Sequence, residues 1–268
     1  MEAFFLPDGR DPGVFHPTEL TRGPWAADAQ HGGAPAALAG YVIGRCEPWG
    51  RVARVAVEYL GVVPIAPLRA EVRVVEAEAR VGGRRVEMVE ATLSSGQRVV
   101  VKATAWRLGT VAPDLEVPPE ILPDGNPLGP DGIAMRPEHS FPSNQRVGFH
   151  TGVEYRFVSG AFRTPGPAVC WFRLRYPVVA GAEPAPLERV LAAADFGNGV
   201  SAVLPWGHCY FINTDLTVNM YREPVGEWVC LDAVTRAEPD GIGLAESRLF
   251  DERGPIGRGT QTLLLGTR

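Results

Sequence analysis

The sequence predicts an α+β fold built from two copies of one unit, each a central helix wrapped by an antiparallel sheet. Three observations predict it. One long stretch with helical apolar spacing occurs in each half of the 268 residues. Each such stretch is followed by alternating apolar and polar runs separated by short turns. A proline-rich segment divides the two series near the middle of the chain.

The first helix is expected over 34–45, "APAALAGYVIGR", where Leu38, Tyr41 and Val42 share a face and Pro35 falls in the first turn. Ala36, Gly40 and Gly44 recur every four residues, which suits a helix pressed closely against a neighbour. Strands are expected at 52–60, with Val55, Val57 and Tyr59 on one side, and at 68–74, where Leu68, Ala70, Val72 and Val74 alternate with charges. "VGGRR" reads as a hairpin turn into "RRVEMVEATL", and "SSGQ" as a second turn into "RVVVKATAWRL". Residues 111–145 carry eight prolines and read as a linker draped over the surface.

The second half runs in the same order. "VEYRFVSG" and "AVCWFRLRY" are strands, and 186–196 is a helix with Leu187, Val190, Leu191 and Ala194 on one face. A strand over 213–224 and another over 227–236 follow, then a closing hairpin from "GLAESRLF" through "DERG" to "PIGRGTQTLLL". The expected units are 1–110, the linker 111–145, and 146–268. A sheet with one apolar face must cover it, and one helix wrapped by one curved sheet is the economical cover. That is the hotdog arrangement; two in tandem make a double hotdog. "QHGG" of the first half aligns with "ADFG" of the second, and the first half reads as mainly structural.

A formal net charge of −5 argues against a general nucleic-acid binder. No apolar run is long enough for a membrane span, and the amino terminus lacks the basic start of a signal peptide, so a cytoplasmic protein is expected. Cys46, Cys170, Cys209 and Cys230 form no CxxC pair and read as reduced, and the five histidines show no metal-ligand spacing. No metal or other cofactor is implied. There is no GxSxG elbow and no P-loop, and "GNGVSA" at 197–202 follows a helix rather than a strand, which argues against a dinucleotide site.

Four segments carry a resemblance: "TRGPWAADAQHGGAPAALAG", "AAADFGNG", "NTDLTVNMYREPVGEWV" and "GRGTQTLLL". In this order and spacing they resemble the acyl-CoA thioesterase II family and its shorter bacterial relatives over nearly the whole chain. The resemblance implies an acyl-CoA or acyl-carrier thioester substrate and a water positioned by an aspartate, a glutamine and a hydroxyl residue. The aspartate matches Asp195 and the glutamine Gln261. The hydroxyl position falls on Asn213, a departure, with Thr217 expected on the same strand face as a substitute. His31, Gly32 and Gly33 at the helix entry are read as substrate contacts. The six tryptophans read as core rather than substrate contacts, although an acyl channel between helix and sheet would be lined by residues of this kind. Gly197 and Gly199 would let a thioester approach the backbone, whose N–H groups there or at a helix start would hold the oxyanion. By analogy with hotdog sheets that extend edge to edge, a homodimer is expected. Two rivals remain: a hydratase or dehydratase using His31, and a non-catalytic acyl-thioester binder.

Overall fold

The structure, a computed structural model, describes residues 2–47, 49–75, 80–81, 84–110 and 126–267. The first half contains β1 (Phe5–Pro7), β2 (Val14–Pro17), α1 (Gly33–Arg45), β3 (Arg51–Tyr59), β4 (Leu68–Val75), β5 (Arg80–Val81), β6 (Arg84–Ser95) and β7 (Arg98–Leu108). The second contains α2 (Phe149–Gly152), β8 (Val153–Ala161), β9 (Thr164–Leu174), α3 (Pro186–Ala194), α4 (Gly197–Val200), β10 (Cys209–Asn213), β11 (Asp215–Met220), β12 (Val229–Ala237), β13 (Ile242–Asp251) and β14 (Gly254–Thr267). The glycines of the predicted "VGGRR" turn lie outside the described residues.

All neighbouring strands pair antiparallel in one sheet, in the order β1-β2-β4-β6-β7-β3-β11-β14-β13-β12-β9-β8, with β10 also on β14 and β5 on β6. The order reads as a repeat. In each half the strand pair before the helix lies at the outer edge, and a strand that follows the helix, β3 in the first half and β11 in the second, lies at the inner one. The two inner strands, β3 and β11, pair with Thr217 opposite Ala56. The edge-to-edge union of two hotdog sheets is thus made inside the chain, and the double hotdog is the fold.

Inside the curved sheet α1 and α3 pack against each other and run in opposite directions. At one end the Arg45 guanidinium meets the buried Glu188 carboxylate at 2.6 Å. Burial pushes the Glu188 carboxyl above its ordinary value, and Arg45 only partly offsets this. At the other end a Cβ on Gly33 would come within 2.9 Å of the Ala192 carbonyl oxygen. Between them Gly40 faces the Leu191 side chain, so the small-residue face is a helix–helix contact as its spacing predicts. Gly44 is not part of it; nothing among the described residues lies within 4 Å of its would-be Cβ. The antiparallel crossing also corrects the alignment of "QHGG" with "ADFG": the first opens α1, whereas the second follows the end of α3.

Two further expectations are corrected. The 111–145 segment is more than a surface linker: within its described part, Phe141 is buried and packs on Phe162, Phe196 and Trp206. Residues 213–224 are not one strand. The chain breaks at Thr214 between β10 and β11, so Phe211 faces inward before the break and Leu216 and Val218 after it. That changes the parity of the inward positions.

The helix contact separates two glycines of α1. Gly33→Ala drives a methyl to 2.6 Å from the Phe149 ring and lowers stability by about 1–3 kcal/mol. Gly44→Ala, exposed and unobstructed, raises it by about 0.5–1 kcal/mol. Denaturant unfolding of the two variants reads the opposite signs.

Candidate active site

Asp195 is the residue after α3, and its side chain is 2% exposed. A buried carboxylate must be surrounded by donors. The Asn213 amide donates to Oδ1 at 2.8 Å, and the Tyr59 hydroxyl lies 3.0 Å from the same oxygen. The Tyr59 hydroxyl is also 3.0 Å from the Gly32 carbonyl, so its single proton serves one acceptor at a time. Burial, and then the Asp195 charge, push Tyr59 well above the ordinary tyrosine value, which keeps it a donor. Oδ2 lies 3.0 Å from Nδ1 of His31. The carboxylate occupies the unfavourable end of α3 but faces the amino end of α1, where the exposed peptide N–H groups favour negative charge.

Gly32 makes this approach feasible. A Cβ there would sit 2.8 Å and 2.9 Å from the two carboxylate oxygens and 3.0 Å from the Tyr59 hydroxyl. Gly33 serves the helix contact instead, and does not line the cavity beside Asp195. His31 is anchored by its backbone N–H on the Thr21 carbonyl, and its ring packs at 4.8 Å on Phe149 and 4.7 Å on Phe196.

Gln261 projects from β14 beneath the turn that follows Asp195. Its Nε2 donates to the Asp195 carbonyl at 3.2 Å and its Oε1 accepts from the Asn198 N–H at 2.9 Å. Both ends of the amide are occupied by backbone, so Gln261 positions the carboxylate rather than facing the cavity. Gly197 is the room for that contact: a Cβ would meet Gln261 Oε1 at 2.8 Å and Ser247 Oγ at 2.9 Å. Gly197 therefore packs on Gln261 and is not a cavity wall; Gly199 is. The segment after Asp195 is the helical turn α4, not an open loop. The N–H groups of Asn198 and Gly199 are taken by Gln261 and by the Phe196 carbonyl. They are not the free oxyanion donors expected from the glycines. Thr217 does not share a face with Asn213, because the break at Thr214 reverses the parity. It pairs with Thr260 on the outer side.

Beside Asp195 opens a cavity of about 340 Å³ between the two halves. Trp25, Trp206, Phe141 and Phe211 form much of its wall, with Asp195, His31, Tyr59 and Asn213 at one side. Trp25 of the first half stacks on Trp206 of the second at 5.5 Å, and Phe211 stands edge-on to both. Trp171 and Trp228 are buried as expected, but Trp25 and Trp206 are cavity walls. Sequence reasoning also missed Tyr59, whose one signal was a hydroxyl on the inward face of a valine-rich strand. His31, Gly32 and Tyr59 come from the first half, so that half contributes side chains to the site. The Arg222 of "MYREP" lies away from it, clamping Asp251 at the β13–β14 turn.

Four free cysteines, and no group of three or more His, Cys, Asp or Glu placed to hold a metal, occur among the described residues. No helix among them is long and apolar enough to cross a membrane.

The fold defines a protein of the double-hotdog class, with a buried acid beside an apolar cavity. The sequence matches the acyl-CoA thioesterase N-terminal domain over residues 21–108 and the acyl-CoA thioesterase C-terminal domain over 130–265. The chain belongs to the acyl-CoA thioesterase family. Its fold is similar to that of the tesB protein of Mycobacterium avium subs paratuberculosis, at 16% identity over 94% of this chain and 93% of that one (TM-score 0.67). A hot dog fold protein of unknown function from Alicyclobacillus acidocaldarius is similar at 16% identity over 96% and 95% (TM-score 0.70). Acyl-CoA thioesterase II TesB2 of Mycobacterium marinum is similar at 14% over 97% and 94% (TM-score 0.62). No curated protein matches the sequence.

Replacing Gln261 by Met keeps the volume and removes the acceptor of the buried Asn198 N–H. It costs about 1–3 kcal/mol in denaturant unfolding.

Proposed function

We propose that the chain hydrolyses an acyl-CoA thioester to the free acid and CoA, using water activated at the Asp195 carboxylate and the side chains around it. The observation that carries this reading is a fully buried carboxylate, held by three side chains, at the wall of an apolar cavity. A thioester carbonyl is electrophilic enough for activated water, so no covalent intermediate is required. The aromatic wall takes the acyl group. The amide of Asn213 is oriented by chemistry, since only its NH₂ can face the carboxylate; its Oδ1, with no donor among the described residues, is then the acceptor that steadies the water where the family has a hydroxyl. Gly32 lines the cavity, its N–H has no protein acceptor among the described residues, and that N–H is the donor we assign to the oxyanion.

One observation favours a second reading. The His31–Asp195 pair is the acid–base couple that hydration of an unsaturated acyl thioester would need. The products separate the two, because hydration consumes the double bond without releasing thiol.

Thiol release from a panel of acyl-CoAs, wild type beside Asp195→Ala, is the test. The substitution is expected to lower kcat/KM by roughly 10²–10⁴. Wild type releasing no more thiol than the variant on any substrate ends the hydrolase reading. Retention of acyl-CoA without turnover would instead mark a binding protein.

A further inference from the structure

We infer that the indole of Trp206 sets the length of acyl chain that the site accepts, as a partition between the cavity beside Asp195 and a second apolar hollow. The inference rests on the hydrolase reading above and names the substrate class of that site: thioesters of compact acyl groups, up to about eight carbons long.

The first observation is where Trp206 stands. It lies in the 201–208 segment that links α4 to β10. Among the described residues it alone lines both the cavity of about 340 Å³ beside Asp195 and a hollow of about 210 Å³. The hollow is walled by Phe162, Pro165, Ala202, Leu204 and Pro205, with the exposed Arg163 at its rim. Phe141 of the cavity packs edge-on at 4.9 Å on Phe162 of the hollow, so a second aromatic contact closes the boundary beside Trp206.

The second observation is how the indole is held. It stacks on Trp25 at 5.5 Å and meets Phe211 and Phe141 edge-on at 4.7 Å and 5.7 Å. Its Nε1 is buried and has no partner among the described residues. A buried N–H is usually paired, and an unpaired one destabilises. A smaller apolar side chain would avoid that penalty. What the indole supplies instead is enough ring to fill the boundary while packing on three aromatic neighbours.

Volume turns the partition into a length limit. A methylene group takes the space of a water molecule in the liquid, roughly 30 Å³. The cavity then holds about eleven non-hydrogen atoms, which after the thioester carbonyl and sulfur leaves an acyl chain of about eight carbons. The hollow has room for about seven more. While the indole is in place, a longer chain must either break its ring contacts or leave its own end in water. In neither case do the added methylenes gain from burial.

The experiment measures thiol release from straight-chain acyl-CoAs, acetyl to palmitoyl. In parallel it measures the binding of alkyl-CoA thioethers of the same lengths, which cannot be hydrolysed. Both are run on wild type, Trp206→Ala and Trp206→Leu. In wild type, kcat/KM and affinity are expected to rise roughly fourfold per methylene while the chain fits. They are expected to level or fall beyond about eight carbons. In Trp206→Ala the rise is expected to continue into longer chains, so that the ratio of dodecyl to octyl affinity grows by at least about tenfold. Adding Ala202→Leu to Trp206→Ala puts a larger side chain into the hollow, and is expected to bring the break back toward shorter chains. A wild-type profile that keeps rising to palmitoyl, or a break that Trp206→Ala leaves in place, overturns the assignment. Should Trp206→Ala fail to fold, Trp206→Leu, which loses no hydrogen bond, reads the same shift. Should neither fold, the presence or absence of the wild-type break decides. A wild type that releases no thiol yet shows the break in thioether binding ends the hydrolase reading and leaves the partition standing.

Discussion

The antiparallel contact between α1 and α3 is the constraint on which the site depends. Because the helices run in opposite directions, the amino end of the first lies beside the carboxyl end of the second. That brings Gly32 and His31 to Asp195 at one end and Arg45 to Glu188 at the other. Both ends carry a buried acid, and each acid is compensated differently. Glu188 receives a guanidinium that reaches out to solvent. Asp195 receives the donors of Asn213 and Tyr59, the His31 ring beside it and the field of a helix start. The first solution closes the contact, and the second leaves a carboxylate beside a cavity.

Close packing and chemistry are inseparable here. Gly33 and Gly40 let the helices approach, and Gly32 and Gly197 let two side chains reach backbone that a methyl would block. The glycines near Asp195 thus do not make space for a substrate so much as space for the groups that hold the acid. Gln261 belongs to that support, since its amide bonds the Asp195 carbonyl before α4 and the Asn198 N–H within it.

Much of the fold was legible because its signals are local. The helical spacing of Leu38, Tyr41 and Val42 and the alternation of 68–74 are set by neighbours in sequence, and the elements form where they indicate. Asp195 and Gln261 were legible through a family resemblance, and the structure brings them within hydrogen-bond reach. What was not legible is what pairs distant segments. Nothing near Tyr59 announces that its hydroxyl meets an acid 136 residues on. Trp25 and Trp206 read as core because stacking partners in different halves leave no mark on either local pattern. Thr217 was misplaced by a single residue: one break at Thr214 turns every following side chain to the other face, and periodicity assumes no break.

The seam between the half-sheets carries a thermodynamic consequence. Tyr59 ends β3, Asn213 precedes β11, and these inner strands are hydrogen-bonded to one another. Neither half alone encloses the cavity. A molecule held there therefore binds only the state in which both halves are folded and joined. Its binding free energy adds to the unfolding free energy of the whole chain rather than of one repeat, so the ligand welds two similar units into a single cooperative one.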